Sequence, residues 1–137
     1  MRNVAGRLYG WVAWAFVASV VIQVFLAGLA LFDVGFGFAL HMEFGYTVIG
    51  IVALVVLLSA VIGGLPRRTI GLSLLLLVLY IVQTMLPTMR ASYPVIAALH
   101  PVNALVLLAL GVYLARREPL RPANLKPRHP EGVEDHA

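Results

Sequence analysis

Residues 38–63 read FALHMEFGYTVIGIVALVVLLSAVIG, an apolar run in which Glu43 is the only acidic residue. About 20 helical residues cross the roughly 30 Å hydrocarbon core of a bilayer, because each residue adds about 1.5 Å to a helix. Three other stretches have the same apolar character and comparable length: about 8–32, 70–87 and 94–115. The sequence therefore predicts an all-α integral membrane protein, with a four-helix transmembrane bundle formed by residues 1–115.

The composition excludes most classes of soluble protein. The chain has 137 residues, of which 61% are hydrophobic and only 12% charged, and its mean hydropathy is +0.95. A soluble domain is typically about 45–50% apolar and about 25% charged. Because cysteine is absent, disulfides, thiolate metal sites and cysteine nucleophiles are excluded. Residues 116–137 are polar and proline-rich, and we expect them to form a disordered cytoplasmic tail.

The basic residues indicate how the bundle is oriented. All of them except Arg90 lie at the amino terminus, in the connection between the second and third runs, or in the tail. With four spans these places share one side of the membrane, and the positive-inside rule assigns that side to the cytoplasm. We therefore expect both termini to be cytoplasmic, in the plasma membrane of a prokaryotic cell, and Tyr9, Trp11 and Trp14 to lie in the inner aromatic belt. This topology accounts for the pI near 10.0, so no nucleic acid is expected as a partner.

The two halves of the bundle share a pattern of polar residues. A spacing of 18 along the chain separates Gln23 from His41, and a spacing of 17 separates Gln83 from His100. Each histidine closes the same tripeptide, Ala-Leu-His, and begins the inward-running helix of its hairpin. The sequence therefore predicts two helical hairpins related as a parallel repeat, with an axis along the membrane normal.

This repeat places the two histidines at equal depth near the outer face, where they can face each other across the bundle. Bundle cores are common sites for cofactors, and histidines are common axial ligands of haem iron. A haem between the second and fourth helices could bind one imidazole on each face. Gly45 and Ala104 follow the histidines at a four-residue spacing, which leaves room for a flat ring on that helix face. The sequence thus predicts haem b, with His41 and His100 as axial ligands.

Three amide side chains are further candidates for this site. Gln23 and Gln83 either form interhelical hydrogen bonds, as polar residues of membrane bundles often do, or contact the histidines and fix their tautomers. Asn103 lies three residues after His100, on a nearby face of the helix, and has the same two interpretations.

Two charged residues lie near the expected outer face. Arg90 is the only basic residue on that side; it is either a partner for haem propionates or a solvated loop charge. Glu43 lies about 200° around the helix from His41, at about 100° per residue. We therefore do not expect Glu43 to share a metal with that histidine.

The order of these residues resembles one four-helix half of haem A synthase. That family has duplicated halves, each of which holds haem between histidines of its second and fourth helices. The stretches that carry the resemblance are QVFLAG (23–28), HMEFG (41–45), QTML (83–86) and HPVNA (100–104). The pattern is also similar to that of small uncharacterised four-span bacterial membrane proteins with the same Gln/His repeat.

The sequence departs from the synthase pattern at several points. Met42 follows His41 where the synthase has arginine, and Glu43 comes after the histidine instead of before it. Many synthases also carry a cysteine pair, which this chain lacks. The resemblance therefore implies the haem-binding fold without the methyl-oxidising reaction, because a shared fold does not define a reaction.

Three hypotheses of function follow. The leading one is a b-type haem protein in the lipid bilayer that serves electron transfer or haem handling, with a quinone or a redox protein as its partner. The second is a transporter or metal-binding protein that uses His41 and His100 for a proton or a divalent cation. The third is a cofactor-free scaffold subunit. The sequence contains no nucleophile–base set, and enzyme activity is left open. The apolar perimeter of four helices leaves room for a homo-oligomer.

Overall fold

The structure, a computed structural model, describes residues 2–35 and 37–117. Every regular element in this part of the chain is helical, and four helices are long and apolar enough to cross a membrane. We number them spans one to four: Val4–Leu31, Phe38–Ile62, Arg67–Ala91 and Pro94–Arg117. The prediction of an all-α chain with four membrane-length helices is confirmed. The predicted tail lies outside the described residues from position 118 onward.

Three of the four spans contain more than one helical segment. Span one is a single α-helix, whereas span two has a π-helical segment between two α-helices, span three ends in a 3-10 segment, and span four has a short α-helix before a long one. In chain order the segments are α1 (Arg2–Leu31), α2 (Phe38–Phe44), the π segment (Gly45–Ile49), α3 (Gly50–Ile62), α4 (Arg67–Met85), the 3-10 segment (Leu86–Ala91), α5 (Pro94–Ala97) and α6 (Leu99–Arg117).

The helices extend beyond the predicted apolar runs. α1 begins at Arg2 instead of near residue 8, and α4 begins at Arg67 instead of near residue 70. Pro87 does not end span three; it stands at the start of the 3-10 segment, directly after α4, and it has no N–H to donate to the carbonyl of Gln83, four residues earlier. A helix is defined by backbone hydrogen bonds, and these continue past the apolar residues on which the prediction relied.

Span four is interrupted directly before its histidine. α5 ends at Ala97 and α6 begins at Leu99. Pro101 has no N–H to donate to the carbonyl of Ala97, four residues earlier, so a continuous hydrogen-bond ladder cannot form here. The interruption gives His100 a place in the first turn of α6.

The four spans form a ring in which spans one and three each pack against spans two and four. Spans one and three share buried positions at offsets of −14, −10 and −7 from their glutamines: Tyr9, Ala13 and Phe16, and Thr69, Ser73 and Leu76. The two hairpins therefore turn equivalent faces of these helices towards the core.

The prediction that Tyr9 belongs to an aromatic belt is wrong. Its side chain is completely buried, and its hydroxyl lies 2.8 Å from Oγ of Ser73. Because Ser73 donates to the carbonyl of Thr69 at 2.9 Å, Tyr9 is the donor of this bond. Trp11, by contrast, is 74% exposed. Apolar residues surround α1 on all sides, so the sequence did not show which aromatic residue faces the core.

Candidate functional site

In the first hairpin, Gln23 of span one contacts both ring nitrogens of His41 of span two. Nε2 of Gln23 donates to the carbonyl oxygen of His41 at 2.8 Å and lies 3.2 Å from Nε2 of its ring. Nδ1 of the ring lies 3.1 Å from the backbone oxygen of Gln23. The backbone and the side chain of one glutamine thus fix the orientation of the imidazole.

The second hairpin repeats this arrangement. Nε2 of Gln83 lies 3.3 Å from Nε2 of His100, and Nδ1 of His100 lies 3.0 Å from the backbone oxygen of Gln83. The glutamine and histidine that recur in the sequence are therefore hydrogen-bonded to each other in both halves. Of the interpretations offered for the two glutamines, interhelical bonding and contact with the histidine both apply.

These contacts define the tautomer of both imidazoles. A carbonyl oxygen can only accept, so Nδ1 of each ring carries the proton and donates it. Nε2 then keeps its lone pair and accepts from the glutamine amide. A backbone carbonyl on the second ring nitrogen is typical of histidines that bind metals. The atom available for metal binding in each ring is thus Nε2.

The two imidazoles lie next to each other, edge to face, inside the ring of helices. His41 lies in α2 and His100 in α6, and the centres of their rings are 6.2 Å apart with an angle of 66° between the planes. Phe38 packs edge-on against His41, with 5.9 Å between ring centres. The two hairpins, which are distant in sequence, each contribute one imidazole to a shared site.

A cavity of about 340 Å³ lies beside the two rings. Its lining is mainly apolar and includes Phe38, Ile49 and Leu107. The structure brings seven of the eight predicted site residues to this cavity: Gln23, His41, Gly45, Gln83, Arg90, His100 and Ala104.

Asn103, the eighth predicted residue, lies behind the cavity. Its Nδ2 donates to Oε1 of Gln83 at 2.7 Å and to the backbone oxygen of Leu79 at 3.0 Å. Gln83 in turn contacts His100, so Asn103 acts on the imidazole through the glutamine. Its role is to hold Gln83 in place.

The first hairpin has no equivalent of this asparagine. Phe44 stands three residues after His41, where Asn103 stands three residues after His100. Oε1 of Gln23 is buried and has no hydrogen-bond partner within the described part of the chain. A buried polar atom without a partner costs about 1–3 kcal/mol. The two halves therefore differ in how firmly they hold their glutamines.

Gly45 is required by the position of Gln23. A Cβ atom on Gly45 would lie 2.6 Å from Nε2 of Gln23, closer than side chains pack. The sequence pattern predicted Gly45 as space for a flat ring, whereas in the structure the glutamine amide occupies this space. Ala104, at the same spacing after His100, contributes its methyl group to the cavity wall.

The two charged residues differ in their relation to the cavity. Arg90 lies in the 3-10 segment of span three, is exposed, and reaches the cavity. Glu43 is exposed, and its backbone carbonyl accepts a hydrogen bond from the hydroxyl of Thr47. Among the described residues, no three His, Cys, Asp or Glu side chains form a group that could hold a metal ion. Within this part of the chain, the two histidines and Glu43 thus do not form one such group.

Tyr80 is a site residue that the sequence analysis missed. Its hydroxyl donates to the backbone oxygens of Gly45 and Tyr46, at 3.1 and 3.0 Å, and its ring lines the cavity. Gly50 makes room for it, since a Cβ atom there would lie 2.5 Å from the hydroxyl. The available signal was spacing: Tyr80 precedes Gln83 by three residues and so shares its helix face.

Comparison with known proteins gives a partial family match but no function. Residues 23–89 match a family of unknown function, DUF6220. The matching region begins at Gln23, contains His41 and Gln83, and ends before His100. Comparisons with curated proteins and with solved structures gave no match.

Proposed function

We propose that this chain is a b-type haem protein of a membrane, with His41 and His100 as axial ligands, and that it serves electron transfer or haem handling. The observation that carries the proposal is the pair of imidazoles with ring centres 6.2 Å apart. Two imidazoles on opposite sides of one metal, each bound at about 2 Å, have ring centres about 6 Å apart. The spacing therefore suits one metal held between the two hairpins.

The surroundings of the histidines fit the same group. A cavity of about 340 Å³ is within the range of about 300–1,000 Å³ found for ligand sites, and its apolar lining suits a flat macrocycle. Arg90 at the cavity offers a cation for a propionate. Bound haem supplies one-electron chemistry. Two axial imidazoles leave no position for a substrate, which favours electron transfer or haem handling.

The glutamines have a defined part in this site. The side-chain amide of each glutamine donates a hydrogen bond to the Nε2 lone pair of its histidine. Both of these hydrogen bonds must break before a metal binds at Nε2. Gln23 keeps the carbonyl of His41 as an acceptor, and Gln83 keeps Asn103 as a donor. The backbone carbonyls continue to hold both rings through Nδ1. The chain thus orients its ligands independently of the amides.

We propose further that both termini face the cytoplasm of a prokaryotic cell. Successive membrane spans run in opposite directions, so the start of span three and the end of span four lie on one side. Arg67 and Arg68 mark the first of these ends, and Arg116 and Arg117 mark the second. The positive-inside rule assigns them to the cytoplasm, and the histidines then lie near the outer face, where a quinone or a redox protein is the proposed partner.

The experiment that tests the haem proposal is an absorption spectrum of the purified protein, oxidised and then reduced with dithionite, after titration with haem b. We expect a Soret band and sharp bands on reduction, as for iron with two imidazoles. His41→Ala and His100→Ala should each abolish this spectrum. His129→Ala is the matched control, because that histidine belongs to the predicted tail.

Three results would contradict the proposal in different ways. A Soret band that both histidine variants retain unchanged places the haem elsewhere. A colourless protein with stoichiometric metal favours the divalent-cation hypothesis. A protein that binds neither, and whose melting is insensitive to both histidine variants, favours the scaffold hypothesis.

A further inference from the structure

Counted from the histidine of each span, the buried positions of span two come one residue later than those of span four. In span four the buried residues Leu107, Gly111, Leu114 and Ala115 stand at offsets of +7, +11, +14 and +15 from His100. In span two the buried residues Ile49, Ala53 and Val56 stand at offsets of +8, +12 and +15 from His41. These three buried positions of span two thus each come one residue later than the first three of span four, which indicates a one-residue insertion between the histidine and the core.

An insertion of this kind has a geometric consequence. One extra residue in an α-helix rotates everything before it by about 100° relative to everything after it. In a regular α-helix, His41 would therefore lie about 90° around the helix from the face that carries Ala53 and Val56. The π segment, Gly45–Ile49, lies between the histidine and these residues. A π-bulge accommodates one extra residue in a helix, and such bulges are frequent at functional sites.

Tyr80 contacts the backbone of this segment from span three. A π segment disturbs the regular hydrogen-bond ladder, and the Tyr80 hydroxyl donates to two of its carbonyls, those of Gly45 and Tyr46. Gly50, the first residue of α3, leaves the space that the hydroxyl occupies. The tyrosine and the glycine together secure the segment on the side that faces the cavity.

We propose that the π segment is a one-residue insertion that turns His41 into the cavity, and that Tyr80 is the positioning residue that stabilises it. The segment brings the first histidine to the position that its counterpart reaches through a regular helix. The importance of this alignment rests on the haem function proposed above, but the alignment itself is a property of the chain. It can therefore be measured without haem.

The chain contains no cysteine, so cysteines introduced at chosen positions are its only thiols. The double variant His41→Cys/His100→Cys is treated with a short bifunctional thiol reagent, and the cross-linked fraction is followed by mass spectrometry. Tyr80→Phe in this background should slow cross-linking about fivefold, the effect of losing a hydrogen bond of about 1 kcal/mol. Tyr46→Phe is the matched control, since it removes a hydroxyl from the same region and leaves both carbonyls bonded.

Two further variants examine the insertion itself. Deletion of Thr47 from the π segment should close it to a regular helix, rotate position 41 by about 100° and abolish cross-linking. Gly50→Ala should slow cross-linking, because the added methyl displaces Tyr80. Gly71→Ala should leave the rate unchanged, because nothing lies within 4 Å of its added methyl. If the deletion variant does not fold, Tyr80→Phe decides the question.

The outcomes separate this inference from the haem proposal. Cross-linking of Tyr80→Phe at the parent rate, or of a folded deletion variant at that rate, overturns the role of the segment. Slower cross-linking in Tyr80→Phe supports it, even if wild-type protein binds no haem and the haem proposal fails. If wild-type protein binds haem, Tyr80→Phe should also weaken haem binding. The melting temperatures of Tyr80→Phe and Tyr46→Phe are compared as well, because a general loss of stability would lower them.

Discussion

Asn103 donates a hydrogen bond to Oε1 of Gln83 at 2.7 Å, so the amide that contacts His100 is itself held from the opposite side. The same asparagine also donates to the backbone of Leu79. Gln23, by contrast, leaves its Oε1 without a partner in the described part of the chain. The two hairpins therefore hold their glutamines differently: Gln83 through Asn103, and Gln23 through the carbonyl of His41.

Asn103→Ala should destabilise the bundle and loosen His100. The variant removes the donor of two interhelical bonds, and hydrogen bonds between membrane helices contribute about 0.6 and at most about 1.7 kcal/mol each. We expect a decrease of about 1–2 kcal/mol in the free energy of unfolding in detergent. Val102→Ala, at an exposed position of α6, is the control. An unchanged unfolding free energy in Asn103→Ala would show that the bonds are not formed.

Gly45→Ala should displace the amide of Gln23 from His41. The added methyl would lie 2.6 Å from Nε2 of Gln23, so the amide must move and its bonds to the histidine are lost. We expect a lower melting temperature, because those hydrogen bonds no longer join span one to span two. Gly28→Ala provides the comparison, because nothing lies within 4 Å of its added methyl, and alanine in a helix is favoured over glycine by up to about 1 kcal/mol. Equal effects of the two substitutions would contradict the close approach at Gly45.

Tyr9 and Ser73 should be energetically coupled. Their buried side-chain bond of 2.8 Å joins span one to span three across the core. In a double-mutant cycle of Tyr9→Phe and Ser73→Ala, we expect a coupling free energy of about 0.6–1.7 kcal/mol in the unfolding measured in detergent. Tyr113→Phe combined with Ser73→Ala is the control pair, since Tyr113 is 42% exposed and contacts Arg117 instead. Additive effects of Tyr9→Phe and Ser73→Ala would rule out the coupling.

The proposed topology can be tested with single cysteines, because the wild-type chain has none. Ser92, between spans three and four, should be labelled in intact bacterial cells by a membrane-impermeant maleimide after Ser92→Cys. Arg68→Cys, near the start of span three, should react only after the cells are opened. The reverse pattern would place both termini outside and the histidines near the cytoplasmic face.

The sequence predicted the parts of this structure that depend on scarce residues. Polar side chains are rare in the spans, so the two Gln/His pairs stand out, and both pairs are in contact in the structure. The number and type of helices follow from the lengths of the apolar runs. The position of Tyr9 could not be predicted in the same way, because a helix that is apolar on all sides does not reveal its buried face.

The π segment shows a different limit. The spacing from Gln23 to His41 is one position longer than the spacing from Gln83 to His100, but this difference lies before His41, whereas the π segment lies after it. The residues after the two histidines are apolar on all sides, so the sequence alone did not show an extra residue in span two. The pattern of buried residues after each histidine locates it, and that pattern requires the structure.

The hydrogen bonds between the glutamine amides and the imidazole Nε2 atoms have a consequence for the order of assembly. Both ring nitrogens of each histidine have partners within the chain, so the rings themselves need no metal to complete their hydrogen bonds. Under the proposed haem function, the polypeptide would insert and fold first, and haem would bind later in place of the two amides. Maturation of such a protein would be a post-insertion event, separable in time from translation.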